Sequence, residues 1–397
     1  MILKLQSNIQ FIYELALARM ELRSLGVSFR VKNSLRSFSA DGTADTSTLK
    51  HRLAYFEKID DDFTDYYYIQ KYNQTRSVNQ YLTHWIYPYK GKYHPQMIRS
   101  LLNVIRLKPG ETVLDPFIGS GTTAVEAQLL GINCIGIDVS RLCILISKVK
   151  TESIYALEQV KKLAGSVAPS NVESVQSDII RKKSWETVKD ERVRNFYQTA
   201  EMIAHSDESR RGRDFIKSFY ENINKMMESV NDYRNLCKEH ALKLGNVKII
   251  EGDARHLDIP DNSIDGIITS PPYSIALNYV ENDAHSLKAL GYDLNKIKQD
   301  FIGVRGSGFE KFKLYNEDIR IAIGEMYRVL KPGRFCVIVI GNVTYRSEEV
   351  QTTNIVIETC KSEGFQLLRK VDKIIFGLYN VMQKEYILIF QKEIEGE

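Results

Sequence analysis

The stretch VLDPFIGSGTTAVEA, residues 113–127, constrains the fold more than any other part of the chain. A short apolar run ends in an acid, two glycines follow, and small and apolar residues then continue at helical spacing. That order reads as strand, glycine turn and helix. Gly119 and Gly121 let a ligand approach the backbone closely, and the start of a helix offers free N–H groups. Asp138 ends the next apolar run, NCIGIDVS, about twenty residues on, where an acidic side chain can bind ribose hydroxyls. Read as G-x-G-x-x-A from Gly119 to Ala124, the turn also satisfies the dinucleotide fingerprint. Taken alone, the loop points to an adenosine-type cofactor, and the plain alternative is a tight strand-to-helix turn.

The segments around it alternate in the same way. MIRSLLNVI is helical, ETVLDPF and NCIGIDVS are strands, and TTAVEAQLLG is a helix stopped at Gly131. Alternation of this kind predicts a parallel sheet with helices on its faces. The pattern breaks between about 154 and 244, where charges of both signs and helical spacing predominate, and it resumes with NVKIIEGDA, IDGIITS, YNEDIRIAIGEMYRVLKPG and RFCVIVIGN. FQLLRKVDKIIF and KEYILIFQK are expected to close the chain as an antiparallel pair. One α/β domain is therefore expected from 85–153 and 245–397, with a helical insertion at 154–244. Residues 1–84 form a helical, aromatic-rich extension in this reading, opening on the helical pattern IQFIYELALARMELRSLG.

Composition excludes several classes. No apolar run approaches the ~20 residues of a membrane span, and the N-terminal stretch is interrupted by polar and charged residues, unlike a signal peptide. The five cysteines are scattered without CxxC spacing. That argues against a metal site and a disulfide framework, and fits a reducing cytoplasm. A formal net charge of +4 permits a nucleic-acid partner without demanding one.

A second acid, Asp253, follows the third strand of the series, with Ala254 beside it. In a doubly wound sheet the carboxyl ends of the strands share one crevice, so Asp115, Asp138, Asp253 and Ser270 are expected to face one place. Asp258, Asp261 and Asp265 read more simply as turn formers and helix caps. The fourth strand ends in Ser270-Pro271-Pro272-Tyr273, which by itself could be no more than a strand-ending turn.

DPFIGSGTT followed downstream by TSPPY resembles the S-adenosylmethionine-dependent amino-methyltransferases, which methylate cytosine N4 or adenine N6, mostly in DNA. The resemblance covers roughly 85–153 and 245–397. It implies a Rossmann-like class I methyltransferase sheet, mostly parallel with an antiparallel C-terminal hairpin. The cofactor implied is S-adenosyl-L-methionine, held by Asp115, Pro116, Phe117, Gly119, Gly121, Thr122, Asp138, Asp253 and Ala254. Tyr93, His94 and Pro95 resemble the segment that packs over the methionine part, though plain packing explains them equally well. The Ser-Pro-Pro-Tyr form looks most like the N4-cytosine group. The base amino lone pair is delocalised into the ring, so the site must hold the amino hydrogens with acceptors. The Ser270 hydroxyl and Pro271 carbonyl can serve, the prolines fix the backbone, and Tyr273 can stack on an extruded base. No covalent nucleophile is needed, and the absence of a Pro-Cys dipeptide argues against cytosine C5 chemistry.

The insertion of about ninety residues between Asp138 and Asp253 departs from the family pattern. Target recognition could lie there, in 1–84, or in GYDLNKIKQDFIGVRGSGFEKFKLYNE, whose Lys, Arg, Gly and Phe suit phosphate contact and base stacking; a solvated helical face or ordinary loop is the plain alternative for each. The expected partner is duplex DNA, with a cognate restriction endonuclease or defence partner. The alternatives are N6-adenine methylation, the same chemistry on ribosomal or transfer RNA, and a non-catalytic nucleic-acid-binding module.

Overall fold

A computed structural model describes the chain except residues 33–34, 42–44, 74–76, 78, 166–182, 274–278, 300, 307, 346–347, 374–381 and 395–397. Parts of the expected insertion, of the stretch after Tyr273 and of the closing hairpin therefore lie outside the described residues.

The N-terminal region differs from the helical expectation. It contains β1 (Ile2–Leu5), α1 (Ile12–Ser24), β2 (Phe29–Lys32), β3 (Ser37–Ala40), α2 (Thr46–Arg52), β4 (Phe56–Ile59), β5 (Asp62–Phe63) and α3 (Asp65–Lys71). The strands form an antiparallel sheet in the order β2-β3-β1-β4-β5. None exceeds four residues, too short for alternation to register in sequence, and their pairing is remote: Ile2 lies opposite Ser39 and Leu3 opposite Ile59.

The second sheet begins after α4 (Pro95–Val104). In chain order come β6 (Thr112–Asp115), α5 (Thr122–Leu129), β7 (Asn133–Asp138) and α6 (Arg141–Glu152), then the helices α7 (Leu157–Gly165), α8 (Glu191–Arg211) and α9 (Phe215–Glu239). β8 (Val247–Glu251) and β9 (Ile264–Thr269) resume the sheet. Three short helices follow, α10 (Tyr279–Asn282), α11 (Ala284–Ala289) and α12 (Leu294–Ile297), and then α13 (Gly308–Val329). The Lys- and Arg-containing stretch 291–317, read as a loop from sequence, is thus largely helical: Asp293 caps α12 through Asn295 N–H, and Gly308 opens α13. The chain closes with β10 (Leu330–Tyr345), β11 (Glu348–Val350), α14 (Thr352–Ser362), β12 (Phe365–Lys373) and β13 (Met382–Lys392).

The strand order is β12-β13-β10-β9-β6-β7-β8, with β11 added to the end of β10. β10, β9, β6, β7 and β8 run parallel, and β13 pairs antiparallel with both β10 and β12. This is the Rossmann-like sheet expected from the sequence, mostly parallel with an antiparallel C-terminal hairpin. The chain runs from β6 outward to β8 and returns on the other side at β9, so the order reverses beside β6. A ligand crevice is expected outside the carboxyl ends at that point. β9 is buried at all six positions, as a central strand covered on both faces must be.

The helices α7–α9 bury Phe196, Tyr197, Phe219, Met226 and Val230 against Leu142, Leu145 and Ile146 of α6. Within the polar stretch HSDESRRGRD the helix runs further than the composition suggests. α8 continues to Arg211, whose guanidinium pairs with Asp207 one turn back at 2.9 Å, and stops at Gly212, with φ 62°.

A buried polar knot docks the N-terminal region on the sheet. The Glu21 carboxylate of α1 accepts from the backbone N–H groups of Ala54 and Tyr55 and from Asn103 of α4 at 3.2 Å each. Arg52 donates to Asn103 Oδ1 at 2.8 Å and to the Leu107 carbonyl at 2.7 Å. Burial outweighs those donors and raises the Glu21 carboxyl to about 7.

Candidate active site

The carboxyl ends of β6, β7, β8 and β9 converge on one cavity of about 330 Å³, within the range of small-molecule sites. Its base is the loop between β6 and α5. Gly119 and Gly121 take φ +50° and +78°, which a residue with a Cβ adopts only under strain. At Gly121 space forbids a side chain as well, since a Cβ would lie 2.8 Å from Ser147 Oγ and 3.0 Å from Ser147 Cα of α6. The carbonyls of the loop are tied down from α6. Ser147 Oγ donates to the Gly119 carbonyl at 3.0 Å, and the buried Lys150 ammonium donates to the Ser120 carbonyl at 2.7 Å.

Asp138, at the end of β7, lines the cavity and orders its rim. One oxygen accepts from Gly119 N–H at 3.0 Å and the other from Ser140 N–H at 2.9 Å. Burial raises its carboxyl to about 6 despite those donors. Asp253, after β8, also lines the cavity. Burial opposes its ionisation, but Arg255, which grips both oxygens at 2.6–3.0 Å, holds its pKa below the ordinary value. Arg255 is itself anchored on Asp318 of α13, at 2.9 Å.

Asp115 behaves differently from the expectation that it faces the crevice. It is fully buried and is not among the cavity-lining residues. Its Oδ2 accepts from Thr123 Oγ1 and its Oδ1 from Thr269 Oγ1, each at 2.7 Å, and Oδ1 also accepts from Phe117 N–H at 3.2 Å. It therefore locks the glycine loop to the end of β9, one residue before Ser270. Burial raises it too, to about 6.

Ser270, Pro272 and Tyr273 also line the cavity. The Tyr273 hydroxyl donates to Glu385 Oε1 of β13 at 2.7 Å, and Glu385 Oε2 pairs with Lys373 at the end of β12. Lys373 and Glu385 line the cavity as well.

Of the residues singled out in the sequence, Tyr93, Pro116, Phe117, Gly119, Thr122, Asp138, Asp253, Ala254, Ser270, Pro272 and Tyr273 line this cavity. Pro271, Gly121, His94 and Pro95 stand behind it. His94 and Pro95 start α4, with Pro95 in its first turn, where a missing N–H costs nothing. Burial, and then the Lys373 charge, lowers His94 to about 4. Sequence reasoning missed Tyr89, Lys92, Asp283, Leu287, Lys373 and Glu385, which also line the cavity. No motif marks them; the fold brings them in.

Among the described residues no group of three or more His, Cys, Asp or Glu is placed to hold a metal ion, and no helix is long and apolar enough to cross a membrane.

Residues 31–149 match the family model for N6/N4 methyltransferases, described as DNA methylase. The match takes in the glycine loop and Asp138 and stops before Ser-Pro-Pro-Tyr. Over these residues the chain is similar to the N4/N6 amino-methyltransferases.

Three curated relatives are similar to this chain. The type II methyltransferase M.BsoBI of Geobacillus stearothermophilus is 23% identical over 280 residues, 56% of this chain and 55% of the relative. The type II methyltransferase M.MjaII of Methanocaldococcus jannaschii is 44% identical over 80 residues, 20% of this chain and 15% of the relative. A tRNA (guanine(10)-N2)-dimethyltransferase of the same organism is 34% identical over 77 residues, 19% of this chain and 22% of the relative. The chain thus spans about half the length, or less, of the curated relatives it matches.

S-adenosylmethionine is the cofactor that the similarity to these methyltransferases implies, and the residues present suit it. The Asp138 carboxylate offers acceptors for ribose hydroxyls. Val139, Ala254 and Ile302 supply apolar wall for an adenine ring. The loop itself is held in shape from α6 and by Asp138, which accepts from Gly119 N–H.

Proposed function

We propose that this chain methylates the exocyclic amino group of a base in duplex DNA, with cytosine N4 the favoured target. One observation carries the reading: a single cavity is lined both by the glycine loop with Asp138 and by Ser270, Pro272 and Tyr273.

In this reading Asp138 holds the ribose, Gly119, Ser120 and Thr122 lie under the body of the cofactor, and Tyr93 covers its methionine end. S-adenosylmethionine, when bound, supplies an electrophilic methyl group. The rest is done by the chain's own groups. The Ser270 hydroxyl and the Pro271 carbonyl accept hydrogen bonds from the amino group and turn its lone pair toward the cofactor. Tyr273 supports the extruded base from one face, held in orientation by Glu385. Positioning of this kind accounts for most of the rate expected of such a site. Ser at the first motif position, where the adenine group more often has Asp or Asn, favours cytosine; adenine N6 is the alternative. The type II relatives support DNA as the polymer and a cognate endonuclease as partner. The similarity to a tRNA dimethyltransferase supports RNA as the second reading, over a shorter stretch.

The test is methyl transfer from labelled cofactor to duplex DNA, with the product digested to nucleosides and the modified base identified. N4-methylcytosine in DNA is the expected product. N6-methyladenine overturns the choice of base. Label in transfer or ribosomal RNA but not in DNA overturns the choice of polymer.

A further inference from the structure

The helices α7–α9 have no part in the chemistry described above, yet α8 ends against the cavity wall. Arg210, in its last turn, reaches the segment that follows the Ser-Pro-Pro-Tyr motif. One guanidinium nitrogen donates to the Asn282 carbonyl at 2.6 Å and to Asp283 Oδ1 at 3.2 Å. The other donates to the Pro88 carbonyl at 3.4 Å. The Tyr87 hydroxyl donates to Asp283 Oδ1 at 2.8 Å and lies 2.9 Å from Ser286 Oγ, which in turn reaches the Met202 carbonyl of α8 at 3.5 Å. Lys90 donates to Asn282 Oδ1 at 2.8 Å. Three segments remote in sequence, residues 87–90, the end of α8 and residues 282–286, meet around the buried Asp283.

That point belongs to the cofactor end of the cavity. Asp283 and Leu287 line the cavity together with Tyr89 and Cys143. Cys143 Sγ lies 3.6 Å from the Tyr89 hydroxyl, and its thiol donates to the Asp138 carboxylate. The Asp283 carboxylate is close enough to add its charge to burial in raising the Cys143 thiol. Asp283 is only 4% exposed, and a carboxylate so buried needs its donors to keep its place.

We propose that Arg210 is a positioning residue through which the helical insertion holds the wall formed by Asp283 and Leu287 against the nucleoside end of the cofactor. The inference rests on reading the cavity as the S-adenosylmethionine site. Without the guanidinium, Asn282 and Asp283 lose their link to α8, and Leu287, one turn further on in α11, loses its fixed distance from Asp138.

The experiment titrates S-adenosylmethionine and S-adenosylhomocysteine into the full-length wild type, Arg210→Met, Arg210→Lys and Tyr87→Phe, and follows initial rates against cofactor and duplex oligonucleotide. Loss of a charge-assisted hydrogen bond predicts about tenfold weaker cofactor binding for Arg210→Met. Arg210→Lys is expected to recover part of this, and Tyr87→Phe to shift affinity the same way. KM for the oligonucleotide is expected to change less than KM for the cofactor, a split that a merely structural role does not produce. A wild type that binds no cofactor overturns the reading of the cavity itself. A wild type that binds while Arg210→Met binds equally well overturns only the role of Arg210, as does a change confined to the oligonucleotide KM. Should Arg210→Met fail to fold, Tyr87→Phe decides, and unchanged affinity in that variant refutes the proposal.

Discussion

Removing one oxygen atom from the motif tests how the site works. In Tyr273→Phe the ring that is to support the base remains and only the hydroxyl goes. That hydroxyl donates to Glu385 Oε1 at 2.7 Å, with Tyr273 and Glu385 each 8% exposed. The acceptor is a carboxylate whose other oxygen is engaged by Lys373. A hydrogen bond to a charged group contributes about 1.5–3 kcal/mol, and a buried acceptor that loses its donor bears a desolvation cost of similar size. The loss in stability is therefore expected at about 2 kcal/mol. If ring orientation is needed in the transition state, the same energy appears in the rate. At 1.36 kcal/mol per factor of ten, that is roughly 10- to 100-fold. Cofactor affinity, assigned here to the glycine loop and Asp138, is expected to stay near the wild-type value. Tyr273→Ala also removes the stacking face, worth a further ~1–3 kcal/mol, and is expected to fall below Phe. The measurements are single-turnover transfer of labelled methyl to duplex DNA, thermal unfolding, and cofactor titration. Wild-type rate and wild-type melting in Tyr273→Phe refute the role of Glu385. A Phe variant as slow as Ala shows instead that the hydroxyl itself does the chemistry.

Asp138, if it holds the cofactor's ribose as proposed, is expected to make cofactor binding depend on pH. Its folded carboxyl lies near 6, and ribose hydroxyls donate to the ionised form. Affinity is therefore expected to be full above about pH 7 and to fall as pH drops through 6, while Asp138→Asn binds weakly and without that step; a flat wild-type titration from pH 5 to 8 contradicts the assignment. Glu21 gives stability a slope of the opposite sense to an ordinary ion pair. Its folded carboxyl is raised from 4.5 to about 7, so its contribution is complete below about pH 4.5 and is lost as pH rises through 7. The change is roughly 3 kcal/mol by linkage, and the difference in denaturant midpoint between wild type and Glu21→Gln is expected to show it; parallel curves from pH 4 to 8 rule it out. Gly121→Ala places a methyl 2.8 Å from Ser147 Oγ at φ +78°, which predicts a loss of about 1–3 kcal/mol together with weakened cofactor binding. Unaltered melting in that variant removes the packing argument for the glycine.

The parts of this protein legible in its sequence are those whose cause is local. Gly119 and Gly121 announce a backbone that other residues resist, and two successive prolines announce a strand that must stop with its carbonyl fixed. The helical and strand periods of 95–153 and 245–373 carry the α/β sheet, because long elements repeat their burial pattern often enough to be read. The four-residue strands of the N-terminal sheet do not, and their partners lie up to 58 residues away, as Ile2 N–H and Asp60 Oδ1 show. Asp115 was legible as a strand-end acid, but which way its carboxylate turns depends on Thr123 and Thr269, and only the packed structure brings both against it. Glu385 reaches Tyr273 across 112 residues, and Asp283 reaches Tyr87 across 196. Contacts of that separation are products of strand order and of the way α8 returns to the cavity. Local chemistry thus determined which cofactor loop and which motif the chain carries. The tertiary fold decided which side chains stand around them, because a buried charge takes its partner from whatever element the topology sets beside it.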